Sequence, residues 1–191
     1  YPNSHFQTCP RLWPQLREKR DLILDNPCEL LAQENFGIAG SFFIRKNILK
    51  FESGFEPTLR SCEDFHFYYR LARHSHVGVI NEVGMMRRLH GSNMSGNPLT
   101  MLTEGIRSRT LLRDSEQDSS IQAHLNGQIA DYLGFLARYN ANHGQYLRAL
   151  RKDWQSLSCH FCLPRIWTTC RSIARTILMA IGILRPRMNK S

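Results

Sequence analysis

Beyond residue 98, apolar side chains recur every three or four residues, and this spacing constrains the fold more than any other feature of the sequence. The first stripe runs through Ile121, Leu125, Ile129, Leu133 and Leu136. The second runs through Leu147, Leu150, Trp154 and Leu157, after a turn at 142–144. Residues at this spacing lie on one face of an α-helix. The sequence therefore predicts a helical region over 99–191 that contains an antiparallel helical hairpin.

The C-terminal segment has the pattern of a basic amphipathic helix. Its apolar side consists of Ile166, Ile173, Ile177, Ile181 and Leu184. Its basic residues are Arg165, Arg171 and Arg175, followed by Arg185, Arg187 and Lys190. We favour packing of this helix on the preceding hairpin, and the alternative is peripheral contact of residues 164–187 with an anionic membrane surface. No run of 18 apolar residues exists that could span a bilayer on its own.

Composition restricts the partners more than the fold. The 191 residues carry a formal net charge of +9, which favours anionic partners such as nucleotide phosphates or an anionic membrane face. The basic residues are spread widely and form no tract with interleaved aromatics, so we expect no specific nucleic-acid binding. Six cysteines are too few for a disulfide-stapled small domain, which favours free thiols in a reducing, cytoplasmic compartment.

The first 98 residues predict a mixed α/β region. Residues 1–35 are rich in proline and predict a loop-rich entry with one modest helix over 16–24. Short apolar runs predict strands over 37–45, 77–80 and 83–86. One helical turn is expected over 46–50, and a loop over 90–98.

The stretch SCEDFHFYYR at 61–70 places two acids directly before an aromatic helix. Ser61 and Asp64 fit a capping box loosely, and acids in a first turn meet the positive end of the helix dipole, worth roughly 0.3–1 kcal/mol each. On this local evidence a role in starting the helix is favoured over a role as a proton acceptor. His66 and His74 follow on the same helix, and we expect both at the surface.

Four short elements change that balance because they occur in a recognisable order. They are residues 43–46 (FIRK), 53–56 (SGFE), 63–71 (EDFHFYYRL) and 88–95 (RLHGSNMS). Their counterparts are a strand ending in an FRR-like element, a GGFDE-like turn, a helix opening EDxxLxxRL and a strand ending YRxHxxNxS. Over roughly residues 30–97 the chain thus resembles the C-terminal half of a family 2 glycosyltransferase domain with the GT-A fold.

The resemblance implies a fold and a reaction. The fold class would be α/β, a partial GT-A domain with a mixed sheet over 1–98, followed by an α-helical region over 99–191. The reaction would be transfer of a sugar from a nucleotide-sugar donor to a hydroxyl of a glycan or lipid-linked acceptor, with inversion at the anomeric carbon. The basic charge and the amphipathic C-terminal helix favour a lipid-linked or cell-envelope glycan made at the inner face of the cytoplasmic membrane.

The resemblance also assigns roles to single residues. Asp64 is the expected general base that deprotonates the acceptor hydroxyl, with Glu63 beside it to orient acceptor or base. Arg88 is a candidate partner of the donor diphosphate, and a surface arginine is the alternative. His90 is a candidate donor or metal contact, and a solvated loop histidine is the alternative.

The sequence departs from the family where the donor should bind. No two aspartates are two residues apart, so the D-x-D motif that holds the metal is missing, and no βα repeat precedes Phe36. We expect a C-terminal fragment, inactive on its own, whose complete enzyme uses a divalent metal, Mg or Mn. The alternative is a non-catalytic adaptor: a degenerate transferase half, or a basic helical module that binds a membrane or a partner.

Overall fold

The computed structural model describes residues 4–85 and 96–186. The helices are α1 (Ser4–Gln7), α2 (Leu12–Glu18), α3 (Pro27–Gln33), α4 (Glu63–Ala72), α5 (Pro98–Ser115), α6 (Ser119–Asn142), α7 (Tyr146–Cys159) and α8 (Leu163–Ala180). A 3₁₀ helix covers Lys46–Phe51, and the strands are β1 (Asp21–Leu24) and β2 (Val77–Ile80). The described chain is therefore mostly helical, with one small antiparallel sheet. These elements agree with a mixed α/β region followed by a helical region only loosely. The GT-A architecture stays a prediction.

The N-terminal 35 residues contain more regular structure than the sequence predicted. The modest helix expected over 16–24 is wrong in position, because α2 begins at Leu12 and the chain then enters β1. In β1 the even positions turn partly inward against the core, and the odd positions are exposed. This alternation is the period of a strand and not of a helix. β1 pairs with β2 from Asp21 opposite Ile80 to Leu24 opposite Val77.

Two of the expected strands do not form, whereas the expected helical turn between them does. Residues 37–45 are irregular, with a turn at Gly40 where φ is +85° and with Phe43 98% exposed. A buried strand needs hydrogen-bonded neighbours, and in the described chain β1 and β2 pair only with each other. Residues 83–85 are also irregular, and Met86 lies outside the described residues. The turn expected over 46–50 is confirmed as the 3₁₀ helix.

The helical hairpin is confirmed, but α7 does not bury the stripe that its sequence favours. Leu147 is 84% exposed and Trp154 is 66% exposed, whereas Ala149, Asp153 and Ser156 face inward. The Ser156 hydroxyl donates a 2.6 Å hydrogen bond to the Ala130 carbonyl of α6. Small inward side chains let the two helix backbones approach closely, and this close contact decides which face is buried.

In α8, as in α7, the buried face differs from the one that apolar spacing predicted. It packs on α6 and α7, as expected for a helix that covers the hairpin, but Thr169, Thr176 and Met179 form its buried face. Its opposite side is an exposed row at helical spacing, which we call the outer stripe of α8. The outer stripe consists of Leu163, Trp167, Cys170, Ala174, Ile177 and Ile181.

One hydrophobic core joins the first half of the chain to the helical region. Its buried members include Leu12, Leu31, Phe65, Leu112 and Leu125, from α2, α3, α4, α5 and α6. Gly105 of α5 lies so close to Tyr132 of α6 that an added Cβ would come within 2.5 Å of the ring. The division into regions at residue 98 stays a prediction, because both sides contribute to this core.

Asp153 makes the free energy of unfolding depend on pH. The side chain is 1% exposed, and burial raises its pKa from 3.8 to about 6, against a hydrogen bond from Ser172 and the charge of Arg138. A raised carboxyl pKa means that the folded state holds the proton more tightly. Its contribution to stability is therefore full below pH 3.8 and is lost as the pH rises through about 6.

We therefore expect Asp153→Asn to raise the free energy of unfolding above pH 6 by up to about 3 kcal/mol, and to lose this gain below pH 4. Urea unfolding on both sides of that window measures the difference between variant and wild type. Asp114→Asn, at an exposed acid paired with Arg113, is the control for the loss of one carboxylate. An Asp153→Asn gain that is the same at every pH would contradict the assignment.

Candidate functional site

The acid pair lies at the beginning of α4. Glu63 and Asp64 are the first two helical residues, and both side chains are half-buried. The Asp64 Oδ1 atom accepts a 2.7 Å hydrogen bond from the Phe65 backbone N–H. The helix itself is confirmed, with Phe65, Tyr69 and Ala72 buried on its inner face.

The capping box proposed from the sequence is wrong. The residue before the helix is Cys62, and Ser61 turns its hydroxyl to the Met101 sulfur of α5, 2.9 Å away. Ser61 is 5% exposed, so its side chain is used for packing and does not bind the helix backbone. In place of the cap, the chain reaches α4 through a left-handed residue.

Cys62 has φ +60° and ψ 17°, and it is the one non-glycine residue with positive φ in the described chain. This conformation costs roughly 1–2 kcal/mol for a residue with a Cβ. Its carbonyl accepts a 3.2 Å hydrogen bond from the Ser108 hydroxyl of α5. Burial raises the pKa of the Cys62 thiol, against the effect of the Arg109 cation beside it. Packing against α5 thus holds Cys62 in its strained conformation, and this conformation sets the direction in which α4 begins.

α5 also fastens the segment that leads into Cys62. The Arg107 guanidinium donates a 2.8 Å hydrogen bond to the Thr58 carbonyl. The Glu104 carboxylate accepts a 2.9 Å hydrogen bond from the Arg60 backbone N–H. Residues 58–62 are therefore tied to one rigid helix at several points, and this fixes the position from which the acids project.

Two segments from the first half of the chain pack on α4, which is itself the third element of the resemblance. The Phe42 ring, directly before the first element, stacks on Tyr68 at a centroid distance of 3.7 Å. The Phe55 ring of the SGFE turn lies 4.7 Å from Phe67, and Arg70 donates a hydrogen bond to the Gly54 carbonyl. Residues far apart in the sequence are thereby brought to one side of α4.

Tyr68 connects these elements to the acids. Its hydroxyl bonds to the backbone of Gly40, and burial raises its pKa, with the negative charges of Asp64 and Glu63 acting in the same direction. Met85 lies against Gly40, since an added Cβ there would be 3.0 Å from the Met85 sulfur. The chain therefore passes this site just before it enters the fourth element.

The remaining candidate residues divide into three groups. Arg88 and His90 lie outside the described residues, as do Asn93 and Ser95. His74 is exposed, as expected. The expectation for His66 is wrong: its side chain is 5% exposed, and burial, followed by the charge of Arg70, lowers its pKa to about 4.

Neither of two clefts in the described chain includes the acid pair. Within residues 4–85 and 96–186, no three His, Cys, Asp or Glu side chains come together in a way that could hold a metal ion. An open cleft of about 440 Å³ touches Ala72 and His76 beyond the C-terminal end of α4, together with Asp25 and Glu116. A second cleft lies along β1 and α3, and neither is lined by Glu63 or Asp64.

Comparison with known proteins identifies no relative. A scan against models of protein families, a search of curated proteins and a search of solved structures each found no match. No described helix is both long enough and apolar enough to cross a bilayer.

Arg109 is the site residue that sequence reasoning missed. It lies 1% exposed between α4 and α6, with its guanidinium carbon 3.7 Å from the Phe65 ring centroid and 4.9 Å from that of Tyr132. The inner face of α5 consists of Gly105, Ser108, Arg109 and Leu112. That spacing is helical, and a search that included small and basic residues with the apolar ones could have found it.

Substitution of Arg70 tests whether this side chain holds the SGFE turn against α4. Its Nη1 atom lies 3.3 Å from the Glu52 carboxylate, and both side chains are largely buried. Because Arg70→Met removes this ion pair and the bond to Gly54, we expect the variant to lose about 1–3 kcal/mol of stability. Trypsin should then cleave after Lys50 about tenfold faster.

The matched control is Arg60→Met, at an exposed arginine on the same segment. It should leave both the unfolding free energy and the cleavage rate near the wild-type values. An Arg70→Met protein that is cleaved no faster than this control would show that Arg70 does not hold the turn.

Proposed function

We propose that this chain supplies the acceptor side of an inverting glycosyltransferase, with Asp64 as the general base. The donor is a nucleotide-sugar, and the acceptor is a hydroxyl of a glycan or lipid-linked sugar. The donor-binding half and the D-x-D ligands of a divalent metal would lie outside these 191 residues. Arg88 and His90 are the candidate contacts to the diphosphate within the chain.

The observation that carries the proposal is that the residue before FIRK and the SGFE turn both pack on α4, the helix that begins with the acid pair. The loop before FIRK contacts Tyr68, and the SGFE turn contacts Phe67 and Arg70. These contacts support a shared site because they bring the SGFE turn and the residue next to FIRK onto the helix that starts with the acid pair. The strained Cys62 immediately before Glu63 supports the same interpretation, since strain held by surrounding packing is a common feature of functional sites.

The chemistry follows from the position of the carboxylate. In an inverting transfer the acceptor oxygen attacks the anomeric carbon while the nucleoside diphosphate leaves from the opposite face. A carboxylate within hydrogen-bond reach of that hydroxyl takes its proton as the bond to carbon forms. At the start of a helix that α5 holds in place, Asp64 has a fixed direction, and Glu63 can bind a neighbouring acceptor hydroxyl.

The test uses the protein that carries this chain together with its donor-binding half. Asp64→Asn should lower kcat by about 10²–10⁴-fold and leave the KM for the nucleotide-sugar near its wild-type value. Release of nucleoside diphosphate from a panel of nucleotide-sugars measures both quantities. Asp21→Asn, at an exposed acid of β1, is the matched control and should behave as wild type.

Stability separates this role from a purely structural one. The side-chain amide that Asp64→Asn introduces keeps an oxygen that can accept the Phe65 N–H bond, so Tm should change little. Wild-type turnover in Asp64→Asn would remove Asp64 as the base. A fall in Tm that accounts for the whole loss of activity would return the acid pair to the role of starting α4.

A non-catalytic adaptor is the second candidate, and one observation favours it. The outer stripe of α8 is an exposed apolar surface that transfer chemistry does not require. Under this alternative the longer protein would bind its partner surface but release no nucleoside diphosphate from any donor.

A further inference from the structure

α8 presents much of its apolar surface to solvent, while two threonines lie on its buried side together with Met179. On the outer stripe, Leu163 is 81% exposed and Trp167 is 66% exposed. Thr169 and Thr176, on the opposite side, are buried against the bundle. A helix on the surface of a soluble protein normally turns its apolar face to the core, because burial of apolar area stabilises the fold.

Specific polar contacts fix this orientation. Arg165 donates a 2.7 Å hydrogen bond to the Asp131 carboxylate of α6, and the same guanidinium bonds to Ser156 of α7. Ser172 donates to the buried Asp153. Rotation of α8 to bury the outer stripe would break all of these bonds and would leave Asp153 without its partner. The apolar face therefore stays outward.

Neighbouring segments extend the exposed apolar surface. Phe161, two residues before α8, is 75% exposed, and Ile183, three residues after it, is 66% exposed. Residues at both ends of the helix thus continue the character of the outer stripe. An 18-residue helix is about 27 Å long, so this surface is long enough for extended contact.

The charge of this region identifies the kind of surface that fits it. From Trp154 to the C-terminus there is no Asp or Glu, and six basic residues are present. Arg171 and Arg185 are exposed among them. Asp153, the last acid before this region, is buried and adds no negative charge to the surface. Exposed arginines at Arg171 and Arg185, together with the apolar face, complement an anionic, amphipathic partner.

We propose that the outer stripe of α8 is a docking face for an anionic lipid bilayer. The helix lies parallel to the membrane plane, with Trp167 and Ile177 among the acyl chains and with Arg171 and Arg185 at the lipid phosphates. A second copy of the chain fits less well, because pairing two such faces would bring basic residues together. The inference does not depend on sugar transfer, since none of these residues belongs to the candidate site.

The experiment is vesicle sedimentation of the purified chain. Wild type should bind phosphatidylglycerol vesicles and bind phosphatidylcholine vesicles much more weakly. Trp167→Ser combined with Ile177→Ser should weaken binding to phosphatidylglycerol vesicles about a hundredfold. Arg171→Gln should weaken it about fivefold and reduce its dependence on salt. Because both apolar positions are exposed, the folded state should tolerate the substitutions, which circular dichroism checks.

The control carries two exposed apolar substitutions elsewhere, Ile23→Ser and Phe43→Ser, and should bind as wild type. In a background that replaces the other two tryptophans by phenylalanine, Trp167 emission should shift to shorter wavelength on binding. Asp64→Asn should bind normally, so failure of the membrane inference and failure of the transfer proposal are distinguishable. Binding that the double substitution leaves unchanged, or self-association that it abolishes in the absence of lipid, would overturn the proposal.

Discussion

A buried arginine determines how the helices of this protein fit together. The Arg109 guanidinium lies between the Phe65 ring of α4 and the Tyr132 ring of α6. Its Nε atom donates a 2.9 Å hydrogen bond to Gln128, which in turn donates a 2.8 Å bond to the Leu31 carbonyl of α3. Its Nη1 atom has no hydrogen-bond partner in the described chain. A charge removed from water is costly unless such contacts compensate it, so these four helices have little freedom to rearrange.

The position of the acid pair follows from this constraint. α5 carries Arg109 on its inner face and, one residue earlier, Ser108, which holds the carbonyl of Cys62. The left-handed turn at Cys62 then sets the direction in which α4 starts and in which Glu63 and Asp64 project. A side chain in the core and a candidate catalytic side chain are thereby linked through a few residues. That link offers a physical reason why a strained residue is retained beside the acids.

The sequence predicted the parts of this fold that depend on local pattern, and it was wrong where contact between helices decides. α4 and the hairpin of α6 and α7 were predictable from apolar spacing. The inner face of α7 was not, because Ala149 and Ser156 are buried for their small size while Trp154 remains exposed. The expected strand over 37–45 looked apolar but has no partner strand in the described chain. The acid pair could be found from the sequence. The contacts by which α5 holds the segment before the acids could be seen only in the structure.

The two proposals concern separate surfaces of one protein: an acid pair held by α5, and an apolar face held outward by the polar contacts of α8. The central claim is that Asp64 takes the acceptor proton while the sugar inverts. Proton NMR of the glycoside made by a protein that joins this chain to a donor-binding half reads the anomeric configuration of the new linkage directly. The account predicts a product opposite in configuration to the nucleotide-sugar. A product of retained configuration, which requires a different arrangement of groups, would contradict it.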